Sequence, residues 1–211
     1  ATTGAKSQQL SPCGSDIVEG KVFALANQRD IMLYMHSLTF KTSIVKKMGS
    51  IIDENCFYVD MEYALFPLEF VESAIFLNFP VYDYLLGSAT QSMAMDNMVK
   101  RRNQHLKVTK RLIQYYTNNS SRLMGKKNDL FSERLKYAVY NQYKIYYYMA
   151  SSEAKEEMIA FDKWLKTYSH EIYKGPIGRF MKIVKFDRMT GWILWNVNVN
   201  LMKRAGIIIK A

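Results

Sequence analysis

The chain has 211 residues, 49% of them hydrophobic, and its 15 tyrosines and 13 methionines favour a packed, helix-rich protein over a disordered one. The net charge of +10 is uneven: residues 1–92 carry six Lys and Arg against ten Asp and Glu, whereas residues 93–211 carry 23 against nine, which predicts a phosphate-rich partner for the second half. The two cysteines, Cys13 and Cys56, exclude a disulfide framework and zinc-ligand spacing, and no apolar run is long enough to span a membrane.

Two thiols far apart in the sequence are typical of a reducing cytosol, so we predict a cytoplasmic protein, and residues 1–4 do not begin a signal peptide. Because Ala1 rather than Met opens the chain, we expect the sequence to begin inside a longer gene. Residues 1–15 are small and polar, and they predict a loop. Residues 16–34 contain apolar positions interrupted by Gly20, and they predict an ordered segment of undecided type.

Short helices and strands are predicted in the first half of the chain. Residues 39–48 fit a helix that Gly49 ends, and a second helix is predicted to begin near Asp60, where a carboxylate lies favourably at the positive end of the helix dipole. Residues 73–86 are dense in β-branched and aromatic side chains, so they predict two short strands that break or bend near Pro80.

From Ser92 the pattern becomes helical, because apolar residues recur at helical spacing and basic residues lie between them. Three helices are predicted. The first ends at 118–121, the second is marked by apolar residues over 131–149, and the third by apolar residues over 158–172. Pro176 can then open a fourth element, since proline suits the first position of a helix.

These elements predict an α+β fold in which helices dominate. A small lobe with short β-strands, over residues 1–91, is followed by a helical bundle over residues 92–211. The tyrosines between residues 140 and 148 recur at helical spacing. We predict that they pack in the core, since large aromatic side chains dominate core burial, although their rings could instead stack on sugars.

Four segments within residues 31–117 form an ordered series. They are MHSLTFKT at 35–42, FYVDMEY at 57–63, FPVYDYLLG at 79–87 and the pair QS at 91–92. In order and spacing this series resembles the second half of the family 2 glycosyltransferases that build bacterial surface polysaccharides. The resemblance covers about two-fifths of the chain.

The resemblance implies a partial GT-A fold that lacks the nucleotide-binding half. The intact protein would be an inverting glycosyltransferase that transfers a sugar from a nucleotide-sugar donor to a polysaccharide or lipid-linked acceptor. In that family a DxD-type motif holds a divalent metal, Mn or Mg, on the donor diphosphate. We expect that metal in the intact enzyme and no cofactor in this fragment, which alone is expected to be inactive.

The resemblance also implies that Asp60 is the catalytic base that deprotonates the acceptor hydroxyl. Two residues depart from the family pattern: Val59 stands where the family often has Glu, and Ser88 where it often has Arg. A carboxylate suits the role because a sugar hydroxyl is a poor nucleophile until its proton is accepted. From position alone, Asp60 could instead cap the helix that it begins.

The substrate-binding candidates are the polar residues of the same segments: His36, Lys41, Glu62, Gln91 and Ser92. Each has a structural alternative. A histidine in an apolar run, such as His36, is more often a hydrogen-bonded core residue, and Lys41 could be solvated. Glu62 points away from Asp60 on a helix and could have a supporting role, and Ser92 could cap the next helix.

The last basic segment suggests a membrane partner. Cations over 179–204 are interleaved with apolar residues that include Trp192 and Trp195, a pattern that predicts peripheral docking at the anionic inner face of the bacterial plasma membrane. The alternative is that both indole rings are buried and the cations are solvated. No nucleic-acid partner is expected, because no known binding signature is present. A non-enzymatic basic helical module that binds membrane or an acidic partner is the alternative function.

Overall fold

The computed structural model describes residues 13–28, 31–49, 52–82 and 92–206. Helices dominate these ranges, and the one sheet within them has two strands, so the prediction of an α+β fold with helices dominant is confirmed. No helix in the described part of the chain is both long and apolar enough to cross a bilayer.

The sheet joins two distant segments of the lobe. Strand β1 (Val22–Ala24) pairs antiparallel with strand β2 (Ser73–Ile75), and Val22 lies opposite Ile75. The segment 16–34, whose type the sequence left undecided, therefore supplies one of the two strands.

The prediction of two strands over 73–86 is met only in its first part. Strand β2 lies at the beginning of this range, but residues 76–82 form no strand, and 83–86 lie outside the described residues. Pro80 has no N–H group to donate to a strand ladder, which disfavours pairing around it.

Two short helices shape the lobe. Helix α1 (Thr42–Met48) begins later than predicted, because the backbone carbonyl of Lys41 accepts its first bonds. Gly49 ends α1 with a left-handed φ of 57°, as predicted. Helix α2 (Asp60–Leu65) begins at the predicted residue and continues into a 3₁₀ helix (Phe66–Glu69).

The single helix predicted from Ser92 is in fact two helices, α3 (Met95–Lys100) and α4 (Arg102–Asn119). Arg101 separates them because its φ of −106° and ψ of 16° depart from helical geometry. Ala94 precedes α3 as its cap residue, so the alternative role of Ser92 as a helix cap is wrong.

The rest of the bundle consists of α5 (Lys126–Met149), α6 (Ser152–Tyr168), α7 (His170–Lys174), α8 (Arg179–Met189) and α9 (Trp195–Arg204). The third predicted helix, over 158–172, is divided at Ser169, where ψ of 92° is extended. Pro176 does not open the next helix, which instead begins after Gly178 with its φ of 115°.

Helix α5 lies at the centre of the molecule and packs against α3, α4, α6 and α7. Its side chains Tyr143, Tyr146 and Tyr147 are 0% exposed, so the prediction that these tyrosines pack in the core is confirmed. Leu65 and Phe66 of the lobe belong to the same hydrophobic core. The described residues on both sides of position 91 therefore share one core, and the domain boundary there stays a prediction.

A buried carboxyl group ties α8 and α9 to the central helix. The hydroxyl of Tyr147 donates to Oδ2 of Asp187 at 2.6 Å, and Nδ2 of Asn198 donates to Oδ1 at 2.6 Å. The backbone carbonyl of Asp187 accepts from the N–H of Trp192 at 2.7 Å. Burial, followed by the bond to Asp187, raises the pKa of Tyr147, so its hydroxyl remains a donor.

A second polar group joins α8 to α6. Nε of Arg188 lies 2.6 Å from Oδ1 of Asp162, and the hydroxyl of Tyr143 donates to the same oxygen at 2.7 Å. The guanidinium of Arg188 also lies 3.9 Å from the ring centroid of Tyr173. Arg188 is therefore fully engaged inside the bundle.

The lobe and the bundle meet at the beginning of α5. The ammonium of Lys127, only 6% exposed, donates to the backbone carbonyls of Glu69 and Val71 at 3.3 Å each. Two residues earlier, Gly125 lies close to the lobe, and a Cβ there would be 2.6 Å from the carbonyl oxygen of Ala26. The bonds of the Lys127 side chain and the absence of a side chain at Gly125 thus both require the lobe to lie close to the beginning of α5.

The junction gives a first prediction. Gly125→Ala should lower the free energy of unfolding more than Gly191→Ala, although both glycines have φ of 60°, because only Gly125 faces a backbone atom. Positive φ alone should cost about 1–2 kcal/mol in each variant, and at Gly125 both the ψ of −137° and the clash with Ala26 should add to the loss. Urea denaturation measures both. Equal losses would show that the lobe can move away from the bundle without cost.

A second prediction concerns Asp187. Asp187→Ala should lower the free energy of unfolding by about 3 kcal/mol, because two buried donors lose their acceptor. Glu133→Ala is the control, since the Glu133 side chain is 69% exposed and its one ion-pair partner within the described ranges is Lys136. That variant should lose less than about 1 kcal/mol in the same urea denaturation. Similar losses in both would mean that the Asp187 carboxyl does not hold α8 and α9.

Candidate functional site

The loop before α2 has a strained backbone. Asn55 and Tyr58 adopt φ of 51° and 71°, in the left-handed region that residues other than glycine rarely occupy. Such conformations persist only where surrounding contacts enforce them, and they cluster at functional sites. The contacts that enforce this loop therefore show how its end, at Asp60, is positioned.

Tyr58 is the main anchor of the loop. Its ring is buried and meets the ring of His105 edge-on, with centroids 5.0 Å apart. Its hydroxyl donates to the backbone carbonyl of Ser92 at 3.1 Å. Burial raises the pKa of Tyr58, so the hydroxyl remains a donor at neutral pH. This one side chain therefore fixes the loop on both α4 and the segment before α3.

His105 connects Tyr58 to α5 at the centre of the bundle. Its Nδ1 lies 2.6 Å from Oε1 of Gln142 on α5, and because an amide oxygen only accepts, Nδ1 carries the hydrogen. Burial lowers the pKa of His105, so the ring is neutral at pH 7. No role was predicted for His105 from its position in the sequence. Its place on the apolar side of α4 was the one signal for burial.

Residues at and just after the break between α3 and α4 hold Phe57 in place. Its backbone N–H donates to Oε1 of Gln104 at 2.8 Å, and the guanidinium of Arg101 lies 3.5 Å from its ring centroid. A cation above an aromatic face is attracted by the ring quadrupole. The interruption at Arg101 thus places a guanidinium over the loop, a feature that helical periodicity alone did not predict.

Glu62 and Arg111 form an ion pair under the loop. Glu62 is 0% exposed, Nη1 of Arg111 donates to Oε1 at 3.1 Å, and the N–H of Asp53 donates to Oε2 at 2.8 Å. Burial raises the pKa of Glu62, although the Asp53 N–H and Arg111 oppose this shift. Asp53 also pairs with Arg111 at 3.0 Å and with Lys107 at 3.1 Å. The substrate-binding candidate Glu62 therefore faces inward and supports the loop.

Asp60 lies at the exposed end of this supported loop. It is the first residue of α2, Val59 is the cap residue, and no side chain there makes a capping hydrogen bond. Within the described part of the chain, the Asp60 carboxylate has no hydrogen-bond partner. Asp60 therefore does not act as a side-chain cap of α2, and its carboxylate is available to a ligand.

The remaining substrate-binding candidates lie at different depths. His36, in a 3₁₀ helix (Met35–Ser37), is exposed and stacks on Tyr34 with centroids 5.4 Å apart, so the alternative of a core histidine is wrong. Lys41 is exposed, and its carbonyl begins α1. Ser92 is half-buried and presents its carbonyl to Tyr58. Gln91 lies outside the described residues.

The four segments of the series contact one another. The ring of His36 lies 5.3 Å from that of Tyr82, which joins the first segment to the third. Phe40 meets Tyr63 edge-on at 5.4 Å, which joins the first segment to the second. The bond from Tyr58 to Ser92 joins the second to the fourth. The segments are thus brought together by side chains that belong to the series itself.

The described residues do not fit a divalent metal. They contain no group of three His, Cys, Asp or Glu side chains placed to hold one. The Asp60-Met61-Glu62 triplet begins a helix, and its two carboxylates face opposite ways, one outward and one into the ion pair with Arg111. This triplet therefore does not have the geometry of a metal-binding DxD motif.

Comparisons of the chain with protein-family models, with curated proteins and with solved structures each gave no match. What the geometry provides is the exposed carboxylate of Asp60, at the end of a strained loop that is held in place by contacts of Tyr58, Phe57 and Glu62.

Proposed function

We propose that this chain is the acceptor-side portion of an inverting glycosyltransferase, in which Asp60 is the general base. The observation that carries the proposal is the exposed Asp60 carboxylate, which has no partner in the described residues although the loop before it is anchored at several points. A carboxylate that is held in position, and whose oxygens accept no hydrogen bond from the protein, can accept a proton from a bound ligand.

In the proposed reaction, Asp60 acts only as a proton acceptor. The acceptor is a hydroxyl of a polysaccharide or of a lipid-linked sugar, and the donor is a nucleotide sugar. As the hydroxyl oxygen attacks the anomeric carbon, Asp60 accepts its proton, and the nucleoside diphosphate leaves from the opposite face with the bonding electrons. Inversion follows from this in-line geometry. A divalent metal, Mn or Mg, would stabilise the leaving diphosphate in the intact enzyme, but the described residues do not fit it.

The exposed side chains near the lobe surface suit acceptor binding. His36, between the rings of Tyr34 and Tyr82, provides a polar edge beside aromatic faces, a combination that suits a sugar ring. Lys41, and Gln91 with Ser92, would contact phosphate or hydroxyl groups. Glu62 acts on this reaction only by supporting the loop. We place the enzyme in the cytoplasm, at the inner membrane face, since its two free thiols are typical of a reducing compartment.

Asp60→Asn tests the proposed base. In the intact transferase this variant should lose about a hundredfold to ten-thousandfold in turnover, because the amide cannot accept the proton, while donor binding remains unchanged. The free energy of unfolding should change by less than about 1 kcal/mol, the value of a charge at a helix terminus. Single-turnover kinetics and urea denaturation measure the two effects.

Glu54→Gln is the matched control, because Glu54 is an exposed carboxylate of the same loop. It should leave turnover unchanged. If Asp60→Asn keeps more than about a third of the wild-type turnover, or if both variants lose activity equally, Asp60 is not the base.

A further prediction concerns the support of the loop. Arg111→Met should lower the free energy of unfolding by about 3 kcal/mol, because Glu62 would remain buried without its cation. Lys107→Met removes a second cation that pairs with Asp53, but the Lys107 side chain is 58% exposed. That control should lose less than about 1 kcal/mol in urea denaturation. Equal losses would show that the ion pair of Glu62 does not hold the loop.

A further inference from the structure

The segment that runs from α8 through the following turn to α9 exposes a set of large apolar side chains. They are Phe186, Met189, Ile193, Leu194, Val197 and Leu201. Met189 is 84% exposed and Ile193 is 78% exposed. In the α9 region, Leu194, Val197 and Leu201 recur at helical spacing on the side opposite to the buried Trp195, Val199 and Met202. The exposed positions therefore form a face of the helix and are not isolated residues.

The same segment carries cations without neighbouring carboxylates. They are Arg179, Lys182, Lys185, Lys203 and Arg204, and none of them has an ion-pair partner among the described residues. The sixth cation of the segment, Arg188, is paired with Asp162 inside the bundle. Asp187 is the one acidic residue between positions 175 and 206, and it is fully buried. The segment therefore presents five unpaired positive charges beside its apolar face.

The two tryptophans do not belong to this surface. Trp192 is 8% exposed and Trp195 is 1% exposed, and the ring of Trp195 packs edge-on against Tyr147. The prediction that these indole rings lie at the depth of lipid headgroups is therefore wrong. They hold α9 on the bundle, and this leaves the aliphatic side chains outside.

We propose that this surface, called here the α8–α9 face, docks reversibly on an anionic lipid bilayer. Exposed aliphatic side chains can enter the acyl boundary while the surrounding cations meet the headgroups, which is the arrangement of an interfacial helix. The proposal does not depend on the role of Asp60.

Charge and apolar exposure together favour a bilayer over other partners. A nucleic acid would attract the cations but would give the exposed Met189, Ile193 and Val197 nothing to pack against. A second copy of the chain would cover the apolar residues, but it would place five positive charges against five others. An anionic bilayer is the occupant that satisfies both features.

The expected strength follows from the contributing groups. Each cation near an anionic surface strengthens binding about fivefold, and each inserted aliphatic side chain about tenfold or more. Because the charges are exposed, added salt shortens the range of their attraction and should weaken docking.

Co-sedimentation of the full chain with lipid vesicles tests the proposal. Vesicles of phosphatidylcholine alone should pellet little protein. Vesicles of equal parts phosphatidylcholine and phosphatidylglycerol should pellet most of it at low salt and less at high salt. The variant Ile193→Ser/Val197→Ser and the variant Lys203→Gln/Arg204→Gln should each weaken binding at least about tenfold.

Two matched variants serve as controls. Met32→Ser/Met124→Ser removes exposed apolar residues elsewhere, and Lys46→Gln/Lys47→Gln removes exposed cations on α1. Both should bind vesicles as the unmodified chain does. Since all substituted side chains are on the surface, the unfolding midpoint should remain unchanged, and the wild-type comparison of lipids and salt tests docking without any variant.

Several results would overturn the proposal. These are equal pelleting with neutral and anionic vesicles, equal losses in the controls, or no pelleting at low salt. A nucleic-acid surface would bind a DNA duplex with an affinity that falls with Lys203→Gln/Arg204→Gln but not with Ile193→Ser/Val197→Ser. A second copy would appear as a dimer in light scattering that Ile193→Ser/Val197→Ser dissociates.

Discussion

A tyrosine hydroxyl that is taken out of water is stabilised by an acceptor, and among the described residues of this bundle a carboxylate on another helix supplies such an acceptor to four buried tyrosines. The pairs are Tyr143 with Asp162, Tyr147 with Asp187, Tyr148 with Asp96 and Tyr116 with Glu171. An unpaired buried hydroxyl would cost about 1–3 kcal/mol, so each pair fixes the height of one helix against its neighbour. Hydrophobic packing alone would allow such helices to slide.

A chain of contacts also connects the central helix α5 to the candidate site. Gln142 on α5 accepts from His105 on α4, the ring of His105 supports Tyr58, and Tyr58 lies two residues before Asp60. The strain in the loop is thus maintained by the rigid centre of the molecule. Asp187 positions α9 in a comparable way, because its bonds to Tyr147 and Asn198 hold this helix against α5 and leave its aliphatic face exposed.

Local signals in the sequence predicted much of this fold. The start of α2 at Asp60, the end of α1 at Gly49 and the burial of the α5 tyrosines all follow from capping chemistry and helical period. The break at Arg101 has no glycine or proline to announce it. Contacts between distant residues were not predictable, since Glu62 and Arg111 are 49 positions apart and β1 pairs with a strand of three residues far along the chain. The burial of Trp195 was not predictable for the same reason, since its ring packs against Tyr147 on α5, far from it along the chain.

The ammonium of Lys127 limits how the lobe can be exchanged. It is buried, and its two acceptors are the carbonyls of Glu69 and Val71, where the lobe meets the bundle. A lobe transplanted from another protein would have to present two carbonyls at the same point, or the charge would be left without compensation in a dry interior. Replacement of the lobe is therefore constrained at a position remote from Asp60, and chimeras that retain this lysine should accept a foreign lobe only if its backbone presents two carbonyls at the same place.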